Sequence, residues 1–164
     1  MTMVAQVMGF FAFLFFIFSV QKKSIKELLF FQTIANFLYA LQYIFLKAFS
    51  AGFMNLISIA RCILFTIFKK GSRASFWTLF VILGSILVVG IFSFDDFLSL
   101  IPPVITAIYA ISTFTDHLKI TRICFILCGA IWIFYNIQVG AYIAILGNVF
   151  EILSGVIALI RYKR

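Results

Sequence analysis

The stretch ANFLYALQYIFLKAFSAGFMNLISIARCILF (residues 35–65) reads against a second one, CGAIWIFYNIQVGAYIAILGNVFEILSGVIA (residues 128–158), when the chain is slid on itself by about 93 positions. In that register Asn55 falls on Asn148, Ser58 on Glu151 and Arg61 on Ser154. Tyr39 falls on Trp132, Gln42 on Tyr135, Tyr43 on Asn136, and further upstream Gly9 falls on Pro102. Apolar sequence aligns with apolar sequence cheaply. Polar residues are scarce in such segments, so their coincidence carries the signal of an internal repeat.

Both copies lie in a chain that is 65% hydrophobic and 11% charged, with a mean hydropathy of +1.19. A soluble domain of 164 residues has too little interior to hide that much apolar surface, so the composition is that of an integral membrane protein. The formal charge of +8 does not point to nucleic acid, because the basic residues sit in short runs between long apolar segments. The start, MTMVAQVMGFFAFLFF, has neither a basic leader nor a small-residue cleavage site and is expected to be a retained helix. Cys62, Cys124 and Cys128 all lie in apolar runs with no CxxC pair. They give no disulfide framework or zinc site and read as small buried side chains.

A spanning helix needs about 20 apolar residues. Seven such segments can be cut out, near 4–20, 28–46, 51–68, 75–92, 98–114, 123–139 and 141–160. With seven spans, every Lys and Arg except Lys47 and Arg61 falls on one side: Lys22, Lys23, Lys26; Lys69, Lys70, Arg73; Lys119, Arg122; Arg161, Lys163, Arg164. The opposite side holds Lys47 and the acidic pair Asp95 and Asp96. The excess of positive charge in cytoplasmic loops then puts the C-terminus in the cytoplasm and the N-terminus outside.

The repeat divides this single membrane domain, 1–164, into a three-helix unit at 4–70, a linker helix at 75–92 and a second three-helix unit at 98–164. An odd number of helices per unit inverts the second unit, and the linker restores its direction. The fold class is therefore all-α, in a 3+1+3 arrangement of two parallel repeats.

The plan, with an Asn on the third helix of each unit and an aromatic on the second, resembles the SWEET sugar transporters and their PQ-loop relatives. Over nearly its full length the chain is more closely similar to the YgjV family of bacterial inner-membrane proteins. That resemblance is carried by FFQTIANFLYALQYIFL (30–46), NLISIARCILF (55–65), IWIFYNIQVG (131–140) and EILSGVIALIRYKR (151–164). It implies a multi-pass protein of the bacterial inner (cytoplasmic) membrane. The SWEET resemblance implies that Asn55 and Asn148 face a central cavity with Tyr39 and Trp132 nearby. The chain departs from that pattern in having no Pro-Gln pair: its fifth helix has Pro102-Pro103 and its first has Gly9.

Asn148, Glu151 and Gly155 share one helical face, as do Asn55, Ser58 and Cys62. An Asn or Glu facing hydrocarbon costs a few kcal/mol, so both faces should look inward. The Asn pair is either a solute site or helix-to-helix glue. Tyr39, Trp132 and Tyr135 are either a stacking wall or packing aromatics. Arg61 and Glu151, the ionisable residues deep in the spans, form either a structural ion pair or, through Glu151, a proton site. Pro102 and Pro103 either start the fifth helix or kink it, and with Gly9 they are candidate hinges. His117, in a basic loop, reads as solvated.

A membrane enzyme is opposed by the lack of a second intramembrane carboxylate beside Glu151 and of an intramembrane His. No catalytic residue, cofactor or metal is expected. The expected partners are the lipid bilayer and an unidentified small polar solute, with room for an oligomer and none for nucleic acid. The expected function is transport of that solute by alternating access between the repeats. The alternative is a non-transporting scaffold or subunit of a larger inner-membrane complex.

Overall fold

The computed structural model describes residues 2–68, 72–115 and 117–161. Lys69, Lys70, Lys163 and Arg164, which carry part of the charge asymmetry, lie outside the described residues. The fold is all-helical: α1 Thr2–Val20, α2 Ile25–Phe45, α3 Phe49–Ile67, α4 Arg73–Phe92, a 3-10 turn Phe97–Leu100, α5 Ile101–Phe114, α6 Leu118–Val139 and α7 Tyr142–Arg161. Seven helices among the described residues are long and apolar enough to cross a membrane, α5 reaching that length with the 3-10 turn in front of it.

Local chemistry sets the helix ends. Ser24 caps α2 by accepting from the Glu27 amide at 3.3 Å, and Ser72 caps α4 by accepting from Ser75 at 3.1 Å. Asp96 and Ser99 cap the 3-10 turn reciprocally. Pro102 and Pro103 lie in the first turn of α5, where a missing N–H costs nothing, so they start the helix instead of interrupting it. Gly9 lies inside α1 where Gln42 of α2 presses on it: a Cβ there would come within 2.6 Å of the Gln42 Cδ. Its smallness admits a neighbour.

The chain leaves α2 and α6 through the same turn. Lys47 and Gly140 have left-handed backbones, φ 61° and 73°, and no other described residue has φ in that region. After each, the next amide reaches back five residues: Ala48 to the Tyr43 carbonyl at 2.9 Å, and Ala141 to the Asn136 carbonyl at 3.0 Å. This is the Schellman closure of a helix C-terminus. Glycine takes that conformation freely, whereas a lysine pays about 1–2 kcal/mol for it.

Neighbour relations arrange the helices. α1 lies against α2 and α7, α3 against α2 and α5, and α6 against α5 and α7, which closes a ring in the order α1–α2–α3–α5–α6–α7. α4 sits against α3 and α5, where Ile82 and Ile86 meet Met54 and Ala110. With lipid tails as apolar as leucine, close approach and hydrogen bonds hold such a ring together. Ala5, Ala12, Ala35, Ala51 and Ala144 are accordingly buried, while Phe18, Phe30, Phe37, Phe92 and Leu127 face outward.

One expectation fails at α6. That helix begins at Leu118, not near 123, so Lys119 and Arg122 are helical rather than in a loop. Its first turns are polar, and a cut made on apolar content starts too late. The buried Arg122 donates to the Lys22 carbonyl at 3.5 Å, tying the start of α6 to the end of α1. At the opposite end, Gln6 Nε2 donates to the Gly140 carbonyl at 3.1 Å, and Gln6 Oε1 accepts from the Ile143 amide at 3.1 Å.

Candidate functional site

A cavity of about 40 Å³ lies at the centre of the ring. Every ring helix contributes to its wall and α4 contributes nothing. α2 presents Asn36, Tyr39 and Tyr43 at spacings of four and three, one stripe down a single face. α3 presents Asn55 and Ser58; α7 presents Asn148 and Glu151 at the same i, i+3 spacing, with Ala144 one turn earlier. Phe16 of α1, Thr106 and Tyr109 of α5 and Trp132 of α6 complete it. The volume holds a molecule of roughly one to four non-hydrogen atoms and is too small for a monosaccharide.

A hydrogen-bonded chain crosses one side of this centre. Tyr43 Oη donates to Asn136 Oδ1 at 2.7 Å, Asn136 Nδ2 donates to Asn148 Oδ1 at 2.9 Å, and Asn148 Nδ2 donates to Glu151 Oε2 at 3.3 Å. Glu151 Oε1 is buried with no hydrogen-bond partner. A carboxylate so placed is under-satisfied, because leaving a buried charge unpaired costs several kcal/mol. Across the cavity, Asn55 Nδ2 donates to the Ala51 carbonyl of its own helix at 2.8 Å.

Aromatic rings run around the wall. Phe16 meets Tyr39 at 6.3 Å, Tyr39 meets Tyr43 at 6.3 Å, and Tyr43 stacks on Trp132 at 5.8 Å. Tyr109, on α5, abuts Phe125 edge-on at 4.7 Å.

Asn55, Asn148, Tyr39, Trp132 and Glu151 thus come together at one cavity, from sequence positions far apart. Tyr135 is not in the wall; it backs it, edge-on to Trp132 at 5.3 Å. Gly9, Pro102 and Pro103 lie away from the cavity.

Arg61 corrects a sequence expectation. It is almost fully buried, but it does not bond Glu151: its Nη2 donates to Gln32 Oε1 at 3.3 Å and to Cys62 Sγ at 3.6 Å. Its guanidinium lies 5.9 Å from the Tyr109 ring centroid. The face of α3 that carries Arg61 turns it toward Gln32 of α2 and Tyr109 of α5. Its Nε and Nη1 are buried without hydrogen bonds.

Sequence reasoning passed over Asn136, Tyr109, Thr106 and Asn36 as site residues. Asn136 was visible as the repeat partner of Tyr43. In the 93-residue register Tyr109, Thr106 and Asn36 fall on Phe16, Phe13 and Gly129, so no polar coincidence singles them out. Among the described residues no His, Cys, Asp and Glu side chains gather into a metal-holding group.

The helices, their apolar outer faces and the enclosed polar centre define a multi-pass membrane protein with a buried polar cavity. A family model described as a bacterial inner membrane protein, Imp-YgjV, matches residues 3–164. The chain belongs to that family and is a protein of the bacterial inner membrane. No curated protein and no solved structure matches it.

Proposed function

We propose that the protein is a transporter that carries a small polar solute across the inner membrane by alternating access at the central cavity. The observation that carries this reading is the cavity itself: six ring helices enclose Asn55, Asn148 and Glu151 at the centre of a membrane-spanning bundle. Polar groups that serve only as glue pair off with one another. Here Glu151 lines the cavity and its Oε1 is buried without a partner.

The proposal takes the ring as two parallel repeats in a 3+1+3, SWEET-like plan, with α4 as the linker. Support comes from the ring order, which reads the same from α1 as from α5. The two left-handed turns, Lys47 and Gly140, also fall on each other in the sequence register, as do Tyr43 and Asn136, which bond across a separation of 93 residues. Rocking of one unit against the other would open the cavity to either side in turn. The N-terminus is placed outside and the C-terminus in the cytoplasm, on the strength of the basic loops. The role is transport and not catalysis, since the cavity offers one carboxylate and no nucleophile–base pair.

Uptake of a panel of small solutes into proteoliposomes tests the reading. Flux of at least one solute is expected, with a large loss in the Asn55→Ala, Asn148→Ala double variant. Flux unchanged in that variant would remove the site. The small size of the cavity favours the alternative, a scaffold or subunit, only if no solute crosses and a partner protein co-purifies in fixed proportion.

A further inference from the structure

The cavity wall carries one ionisable acid, Glu151, whose Oε1 has no hydrogen-bond partner. Asn55 commits an N–H to Ala51, and Asn148 commits its amide on both sides, to Asn136 and to Glu151. Thr106 gives its hydroxyl proton to the Pro102 carbonyl at 2.7 Å. The acceptors that remain are Glu151 Oε1, the carbonyl oxygen of Asn55 and the lone pairs of Thr106, beside the neutral hydroxyls of Tyr39, Ser58 and Tyr109. No Lys, Arg or His lines the wall, and the nearest buried guanidinium, Arg61, is engaged with Gln32 on α2. Five aromatic side chains share the wall: Phe16, Tyr39, Tyr43, Tyr109 and Trp132. Ring faces carry negative potential and attract cations, most strongly where water is excluded.

A site with a single half-satisfied carboxyl, no cationic side chain in its wall and five rings matches one ligand chemistry. We infer that the central cavity takes a small organic cation, a primary or methylated ammonium of a few heavy atoms, paired with Glu151 and faced by the Tyr and Trp rings. The ammonium N–H groups meet Glu151 Oε1 and the Asn55 carbonyl, and its carbon substituents lie against the aromatic wall. The ligand supplies the counter-charge that Arg61 does not. This assignment rests on the reading of the cavity as the solute site and gives that solute a class. A sugar, with its larger volume, does not fit the space.

Trp132 is in the wall and reports on the site, whereas Trp77 on α4 faces lipid. In a Trp77→Phe background, the fluorescence of the purified full-length protein is titrated with methylammonium chloride, with potassium chloride at equal ionic strength, and with methanol as a neutral molecule of the same size. A saturable change with methylammonium alone is expected, weakened about tenfold or more in Glu151→Gln, a loss of about 1.4 kcal/mol. An equal response to methanol or to potassium, or no saturable response to methylammonium, overturns the assignment. The three-ligand comparison uses intact Glu151, so it decides the matter even if Glu151→Gln does not fold. Saturable methylammonium binding without flux in proteoliposomes contradicts the transport reading and leaves the cation site standing. Flux of a neutral solute without methylammonium binding does the reverse.

Discussion

Tyr43 on α2 and Asn136 on α6 are joined by a 2.7 Å hydrogen bond, and they fall on each other when the sequence is slid on itself by 93 positions. Equivalent residues of two units touch only at the axis that relates them. In the proposed repeat plan this bond marks the line about which the two halves are arranged.

Breaking this bond should loosen the halves. Tyr43→Phe removes the donor and leaves Asn136 Oδ1 buried without it. Stability should fall by about 1 kcal/mol, in the range of single interhelical hydrogen bonds in membranes. Asn136→Ala removes two bonds and should cost more. Thermal unfolding in detergent, with both single variants and the double, reads the coupling. Strict additivity of the two losses contradicts a direct pair.

The twin turns at Lys47 and Gly140 make opposite predictions for one geometry. Gly140→Ala forces a Cβ into a left-handed backbone and should lower stability by about 1 kcal/mol. Lys47→Gly should be neutral or stabilising, since the strain it relieves offsets the entropy glycine adds to the unfolded chain. Melting temperatures of the two variants provide the check. A destabilised Lys47→Gly would mean that the lysine side chain, not its backbone, matters there.

Arg61 and Glu151 should behave as separate sites. Because Arg61 bonds the neutral Gln32, its removal orphans no partner charge. Arg61→Gln should cost about 1–2 kcal/mol, less than the roughly 3–5 kcal/mol of breaking a buried ion pair. The charge-swapped double variant, Arg61→Glu with Glu151→Arg, should recover nothing. Recovery of stability in the swap would show a direct pair that this conformation lacks.

The orientation is open to a labelling test in intact cells, in a background with Cys62, Cys124 and Cys128 replaced. A membrane-impermeant thiol reagent should modify Asp95→Cys from outside and leave Lys23→Cys untouched until the membrane is broken. The reverse pattern inverts the topology.

What the sequence disclosed, and what it hid, divides along a physical line. The spans were legible because hydrocarbon imposes length and composition on a helix. The inward faces of Asn55, Asn148 and Glu151 were legible because a polar group exposed to lipid is costly, and the repeat register picked them out. The start of α6 was not, because its polar first turns, with Lys119 and Arg122, look like loop. The partner of Arg61 was not legible either. A long side chain can reach several neighbours, and the choice of Gln32 over Glu151 depends on helix rotations of a few tens of degrees. Tyr109 and Thr106 escaped notice because the register sets them against Phe16 and Phe13, so no polar coincidence marked them.

Alternating access requires a cavity that opens to both sides of the membrane in turn. Ser58 lines it and is only 5% exposed, so it reports opening and little else. In the cysteine-replaced background, Ser58→Cys should react with a small, charged thiol reagent added from the outside of the membrane and, in separate samples, from the inside, slowly in each case. A cysteine at that position that reacts from neither side, or from one side only, contradicts alternating access.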